Sequence, residues 1–204
     1  MSRYIGPKLK LIKKLGPLSS WTSKFVKKKK ESSSIIFSHQ KHKLSEYSLR
    51  LKEKQKLKFY YNVTEKQLFN YFKRAKSGPG IVNISFIEML EMRLDNIIFR
   101  SGLCPTIVSA RQLINHKHIF VNKKLVSFSN FSCRAGDLIK LNNNFCNKNR
   151  NKEFFRFNNN VINSRFLSVN KRLLEILITK KMMKDDSIFN INELLVIEHL
   201  SRRC

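Results

Sequence analysis

Between residues 86 and 128 the spacing of apolar residues changes from a helical period to alternation, and this switch constrains the fold more than any other feature of the chain. At roughly 100° per residue, a helix from Phe86 to Arg100 would gather Phe86, Ile87, Leu90, Leu94, Ile97 and Ile98 on one face. Arg93 and Arg100 would share one edge of that face, with Glu88, Glu91 and Asp95 on the far side. Gly102 is the expected stop, because Gly enters the left-handed cap conformation cheaply. Thr106 is the expected N-cap of a second helix, with Ile107, Ala110, Leu113 and Ile114 apolar and Arg111, Gln112 and Asn115 polar. After His116 and Lys117 the alternation His118-Ile119-Phe120-Val121, a turn at Asn122-Lys123-Lys124 and the run Leu125 to Phe128 read as a hairpin. Gly136-Asp137 leads into a further strand, Leu138 to Leu141. The fold class is α+β: a two-helix motif followed by a small antiparallel sheet.

A formal net charge of +27 over 204 residues implies a polyanionic partner, because self-repulsion of that size exceeds what solubility needs. With 42% hydrophobic residues and 16 Phe, the chain is too apolar to be a disordered basic tail throughout. Residues 1–60 hold 17 Lys or Arg against Glu31, Glu46 and Glu53, a net of +14. Lys24 to Ser38, with Lys27-Lys28-Lys29-Lys30, has no apolar period, so residues 1–45 are expected to form a basic extended arm that orders on binding. A transit peptide has a similar composition. No apolar stretch approaches the roughly 18 residues of a membrane span, and no membrane partner is expected.

Ser45 to Tyr60 reads as a basic helix carrying Lys52, Lys54, Lys56 and Lys58. Thr64-Glu65-Lys66-Gln67 is a capping-box pattern, with Val63 and Leu68 placed for a hydrophobic staple, so a helix is expected from Glu65 to about Ala75. Ser77-Gly78-Pro79-Gly80 breaks the chain before the two-helix unit. Residues 142–170 are Asn-rich and irregular at first, and they carry little structural signal. Leu173 to Ile178 and Ile188 to Leu200 are apolar enough to return to a core.

Met92-Arg93-Leu94-Asp95-Asn96-Ile97-Ile98-Phe99-Arg100, Ala110-Arg111-Gln112-Leu113-Ile114-Asn115-His116 and Val121-Asn122 together resemble the RNA-binding domain of small-subunit ribosomal protein four. The start, Met1-Ser2-Arg3-Tyr4 with Gly6-Pro7, Lys8, Leu15-Gly16 and Thr22-Ser23-Lys24, is similar to plastid members of that family, as are Leu51 to Leu57 and Ile191 to Glu198. The resemblance implies a helical domain, residues 46–86 plus about 185–204, into which an RNA-binding domain, residues 87–150, is inserted. It also argues against a cleaved leader, since the opening motif lies within the arm. Two departures stand out. Some members bind zinc through an N-terminal cysteine cluster, whereas no Cys precedes Cys104 here, so no metal is expected. Members commonly place Gly after the hairpin Asn, whereas Lys123 stands there, so a longer turn is expected.

No phosphate-cradling loop, metalloprotease motif or nucleophile elbow occurs, and no cofactor or small-molecule substrate is expected. Cys104, Cys133, Cys146 and Cys204 have no zinc-ligand spacing and are expected as reduced thiols. His39 and His42 form an HxxH that in a Lys-rich arm is not expected to hold metal. The enzymatic alternative rests on Arg93-Leu94-Asp95, because pseudouridine synthases use an Arg-Leu-Asp motif, but theirs lies in a separate catalytic domain. A free-standing RNA-binding factor is the other alternative.

The resemblance thus implies a non-enzymatic constituent of a plastid small ribosomal subunit, with mitochondrion or bacterial cytoplasm as alternatives. Its partners would be the 5′ domain of 16S-type rRNA, bound early in assembly, and ribosomal protein five. The expected RNA-binding residues are Arg3, Lys8, Lys10, Lys13, Lys14 and Lys24 of the arm and Lys52, Lys54, Lys56 and Lys58 of the basic helix. In the inserted domain they are Arg93, Arg100, Arg111, Gln112, Asn115, His116, Lys117 and Lys123.

Overall fold

The computed structural model describes residues 4–22, 45–142, 165–170, 173–181 and 191–202. Helix α1 (Lys8–Leu15) opens it. The pair α2 (Glu46–Tyr60) and α3 (Glu65–Ser77) follows, with α4 (Val82–Glu91) packed on α3. Next come α5 (Leu94–Arg100) and α6 (Ile107–Asn115). Five strands, β1 (Ile119–Val121), β2 (Lys124–Leu125), β3 (Leu138–Leu141), β4 (Leu167–Asn170) and β5 (Glu175–Ile178), form an antiparallel sheet of order β2-β1-β3-β5-β4. Helix α7 (Glu193–Ser201) returns to pack on α2.

Local chemistry sets the helix ends. Ser45 caps α2 by accepting the Ser48 N–H. Thr64 and Gln67 form the expected capping box on α3, and Val63 and Leu68 are both buried beside it. Thr106 caps α6 through the Ser109 N–H, and Gly102 takes φ +77 after α5. Asn192 caps α7.

The single helix expected from Phe86 to Arg100 is two helices. Met92 and Arg93 leave helical geometry and pair with the segment 129–133. The Cys133 N–H donates to Met92 O, the Leu94 N–H to Phe131 O and the Asp95 N–H to Ser129 O. These are bonds between residues more than thirty positions apart, which local periodicity cannot register. β2 ends at Leu125, and Phe128, expected in a strand, is an exposed loop residue.

The hairpin turn is short, not long. Val121 pairs with Lys124, leaving a two-residue turn in which Asn122 and Lys123 have φ +49 and +66. Asn122 holds it by donating to Asp137 Oδ1 (2.8 Å) and accepting the Leu138 N–H (3.0 Å).

Residues 4–22, expected within an arm that orders on binding, are part of the folded body. Ile12, Leu15, Leu18 and Trp21 are buried, and the Trp21 ring packs at a tilt against Tyr4 and Phe59, with centroids at 5.7 and 5.0 Å. The Ser20 hydroxyl donates to Tyr60 O, while Ser20 O accepts the Ile107 N–H at 2.7 Å, satisfying a free donor at the start of α6. The arm's Lys27–Lys30 run, along with His39 and His42, lies outside the described residues.

The core is continuous from Leu15 and Trp21 through α2–α6 to Ile139, Ile176 and Ile178 of the sheet and Val196 of α7. On the sheet, Ile119, Val121, Ile139, Leu141, Ile176 and Ile178 are buried, in keeping with period-2 alternation. β4, within the Asn-rich span, completes the sheet by pairing Val169 with Ile176.

Candidate nucleic-acid interface

The three inserted-domain arginines expected to grip RNA are turned inward, and Glu91 and Asp95, expected on the opposite side, are turned inward with them, while Glu88 pairs with Lys181. The break after Glu91 resets the helical phase, so Glu91 and Asp95 face the guanidiniums they would have opposed on a continuous helix. Arg100 and Glu91 are both fully buried; Glu91 accepts from Arg100 Nε (3.1 Å) and Nη2, from the Tyr61 hydroxyl (2.6 Å) and from Asn96. Burial works against the Arg100 charge, but Glu91, helped by Tyr60 and Tyr61, more than offsets it and holds the guanidinium above its ordinary value. Arg93, 1% exposed, makes a fork to Asp95 at 3.1 and 2.9 Å and donates to the Tyr71 hydroxyl at 2.8 Å.

Arg111 extends from α6 to Asp95 Oδ2 (2.7 Å) and to the carbonyls of Tyr61 (3.1 Å) and Asn62. Those carbonyls end α2, whose last turn closes with Asn62 at φ +49, so Arg111 is a cation at a helix C-terminus supplied by another helix. Arg93 and Arg100 therefore cannot reach RNA from the folded protein, and Arg111 is committed to joining α6 to α2. These pairs tie the α2–α3 unit to α5 and α6.

The α2 lysines are largely spent in the same way. Lys54 is buried and pairs with Glu65 (3.4 Å), Lys58 reaches the same carboxylate (3.5 Å), and Lys56 pairs with Glu53 (2.5 Å). Arg50 is buried against Glu198 and so docks α7. Lys52 is half-buried with no ion pair among the described residues. On α1, Lys10, Lys13 and Lys14 are exposed, whereas Lys8 lies over the Trp21 ring at 5.4 Å. Arg3 and Lys24 lie outside the described residues.

The remaining expected residues of the inserted domain come to the surface, at the end of α6 and on the hairpin. Gln112, Asn115, His116, Lys117 and Lys123 are all exposed. The α6 terminus is a Schellman turn: the Lys117 N–H donates to Ile114 O (3.0 Å) and the His118 N–H to Leu113 O (3.1 Å). Its left-handed position, where Gly is cheapest, is Lys117 at φ +59. Lys123 occupies the same region at φ +66. Each costs on the order of 1 kcal/mol relative to Gly. Two lysines thus stand at the two ends of β1 in conformations that disfavour a side chain. His116 stacks on His118 at 6.2 Å, and burial first, then His116, push His118 below the ordinary imidazole value.

The outer face of α3 escaped the sequence reading. Lys66, Lys73 and Arg74 are exposed and have no carboxylate partner among the described residues. Their spacing inside a helix already marked by its capping box was the available signal.

Asp95, the residue on which an enzymatic reading rests, is 1% exposed with both oxygens engaged by Arg93 and Arg111, leaving no lone pair aimed at a substrate. Among the described residues no group of His, Cys, Asp or Glu is arranged to hold a metal, and no helix is long and apolar enough to cross a membrane.

Residues 3–91 match the family described as "Ribosomal protein S4/S9 N-terminal domain", and residues 92–139 match the "S4 domain". The junction falls at the break between α4 and α5, inside the buried Glu91–Arg100 cluster. The chain is 42% identical to "Small ribosomal subunit protein uS4c-1" of Cyanidium caldarium over 207 residues, covering all of both chains. It is 42% identical to "Small ribosomal subunit protein uS4c" of Gracilaria tenuistipitata var. liui over 203 residues, again covering all of both, and 41% identical to the uS4c of Chlorokybus atmophyticus, covering 99% of each. With a full-length likeness at this level and both of the family's domains in order, the chain belongs to the ribosomal protein S4 family.

Proposed function

We propose that this protein is a structural, non-enzymatic constituent of the plastid small ribosomal subunit. It binds 16S-type rRNA directly through Gln112, Asn115, His116, Lys117 and Lys123, with Lys10, Lys13 and Lys14 of α1 adding phosphate contacts. The observation that carries this reading is the pair of lysines kept at positive φ. A folded domain gains nothing from Lys at two positions where Gly is less strained, unless the ammonium groups are needed outside it. Exposed lysines supply sequence-independent phosphate contacts, while Gln112 and Asn115 can read base edges beside them.

The 5′ domain of the rRNA is the proposed target, bound early in subunit assembly, with ribosomal protein five as a neighbour. Full-length similarity to proteins named as small-subunit components supports this, as does a body whose two modules are locked by buried ion pairs before any RNA arrives. A rigid body with separated basic surfaces fixes the relative geometry of the RNA segments it touches.

Gradient sedimentation of organelle extracts tests the proposal. The protein should co-migrate with small subunits and shift to a slow, free species after nuclease treatment. Migration as a free species without nuclease refutes it.

A further inference from the structure

We infer that the outer face of α3 is a second nucleic-acid surface, one that holds the phosphate backbone of double-stranded RNA. The inference rests on the rRNA-binding reading above and adds a site to it. Around α3, Leu68, Phe72 and Ala75 are buried, and Lys66, Asn70, Lys73, Arg74 and Ser77 occupy the opposite, exposed side. Glu65, the only acid on the helix, is turned to Lys54 and Lys58 of α2, so it does not neutralise this face.

The contrast with α2 is the core of the argument. Both helices look basic in sequence, but Lys54, Lys56 and Lys58 of α2 have carboxylates within 3.5 Å, whereas Lys66, Lys73 and Arg74 of α3 have none among the described residues. Unpaired cations on one helical stripe raise the local potential and lower the free energy of a polyanion laid along it. From Lys66 to Arg74 the stripe runs about 12 Å at 1.5 Å per residue, enough to meet successive phosphates.

The chemistry of the stripe favours duplex over single-stranded RNA. Single strands are held by aromatic platforms, yet the rings of α3 are not free. Lys73 covers Phe69 at 4.9 Å, Tyr71 is held by Arg93, and Phe72 is in the core. What remains is the ammonium groups of Lys66 and Lys73 and the Arg74 guanidinium fork, with Lys76 exposed beside them, and these suit the charge and shape of an A-form backbone.

The test is the triple variant Lys66→Gln, Lys73→Gln, Arg74→Gln in the full chain. Gln keeps helix propensity, and an unchanged thermal melt certifies the fold. Binding to a plain RNA duplex and to an unstructured pyrimidine strand of equal length is measured against salt. The slope of log affinity against log salt should fall by about 2 to 3 on the duplex, at about 0.9 per lost phosphate contact, and by much less on the single strand. An unchanged duplex slope, or equal losses on both RNAs, overturns the inference. Lys66 and Lys73 should also be shielded from amine-reactive reagent by naked rRNA; shielding that appears only after other subunit proteins join makes this a protein-docking face and also overturns it. Lys117→Gly on rRNA is the comparator. A slope that falls for Lys117→Gly but not for the triple variant sinks the α3 site alone, while failure of the unmodified protein to bind rRNA sinks the proposed function with it.

Discussion

Glu91→Gln probes the join between the two modules with the smallest possible change of shape. Four donors converge on the Glu91 carboxylate: two from Arg100 and one each from Tyr61 and Asn96. An ionised carboxylate offers about four acceptor sites, whereas a Gln side chain offers one oxygen and turns an NH2 toward two of those donors. Arg100, fully buried, would keep its charge without a counter-ion. Removing one partner of a buried pair costs about 3–5 kcal/mol, a large share of the 5–15 kcal/mol typical of a domain. At about 2–4 °C per kcal/mol for a chain of this size, the melting temperature should drop by about 6–20 °C. The assay is a thermal melt followed by circular dichroism, together with the double variant Glu91→Gln, Arg100→Met. Removing the stranded charge should restore about 2 kcal/mol, a coupling that independent sites do not show. If Glu91→Gln melts within about 1 kcal/mol of the parent, or the double variant loses the sum of the single losses, the charged-pair account is wrong.

Trp21→Ala should cost about 3–5 kcal/mol, because Trp21 is buried against Tyr4 and Phe59; a melt like the parent's would return residues 4–22 to the status of a loose arm. Lys123→Gly should move two readouts in opposite directions, stabilising the hairpin by up to about 1 kcal/mol and lowering the salt slope of rRNA binding by about 0.9. Loss of both, or of neither, argues against a strained lysine retained for RNA. Burial, with the Glu91 charge adding to it and Arg100 opposing, pushes the Tyr60 hydroxyl up to about 12. A pKa raised in the folded state means the unfolded chain sheds the proton first, so stability is intact below pH 10 and falls as pH rises from about 10 to 12, by on the order of 2–3 kcal/mol. Denaturant titrations at pH 9 and pH 11 measure this, and equal midpoints contradict it.

Features fixed by short-range chemistry were legible in the sequence. The capping box at Thr64, the cap at Thr106 and the stop at Gly102 each depend on groups within a few residues. The break at Met92-Arg93 was not, because its bonds reach across to segment 129–133. That miss carried the next one with it: projecting a single helix through the break put Arg93 and Arg100 apart from Glu91 and Asp95, when the two groups are in contact. The turn was misjudged for a related reason. The cost of Lys123 at positive φ is local, but the compensation by Asn122 through Asp137 and Leu138 comes from 15 and 16 residues away.

The distribution of cations explains how a chain with a net charge of +27 folds at all. Glu46, Glu53, Glu65, Glu88, Glu91, Asp95, Glu175 and Glu198 each hold a Lys or Arg, so most of the described negative charge is consumed by internal or local pairs. Glu65 and Asp95 each serve two cations, so the pairs use up the acids faster than the bases and leave most of the excess positive charge to face solvent. The two cation types divide the work. Arg50, Arg93, Arg100 and Arg111 take buried or part-buried positions, where a planar, weakly hydrated fork can satisfy two acceptors at once. Lysines dominate the exposed stripes on α1, α3 and the hairpin, where a strongly hydrated point charge is cheap to keep in water and suited to phosphate. The same acids that hold the two modules together are thereby kept away from the surfaces that must attract a polyanion. Moving one of them outward, at Asp95 or Glu91, would weaken the fold and the RNA surface at once.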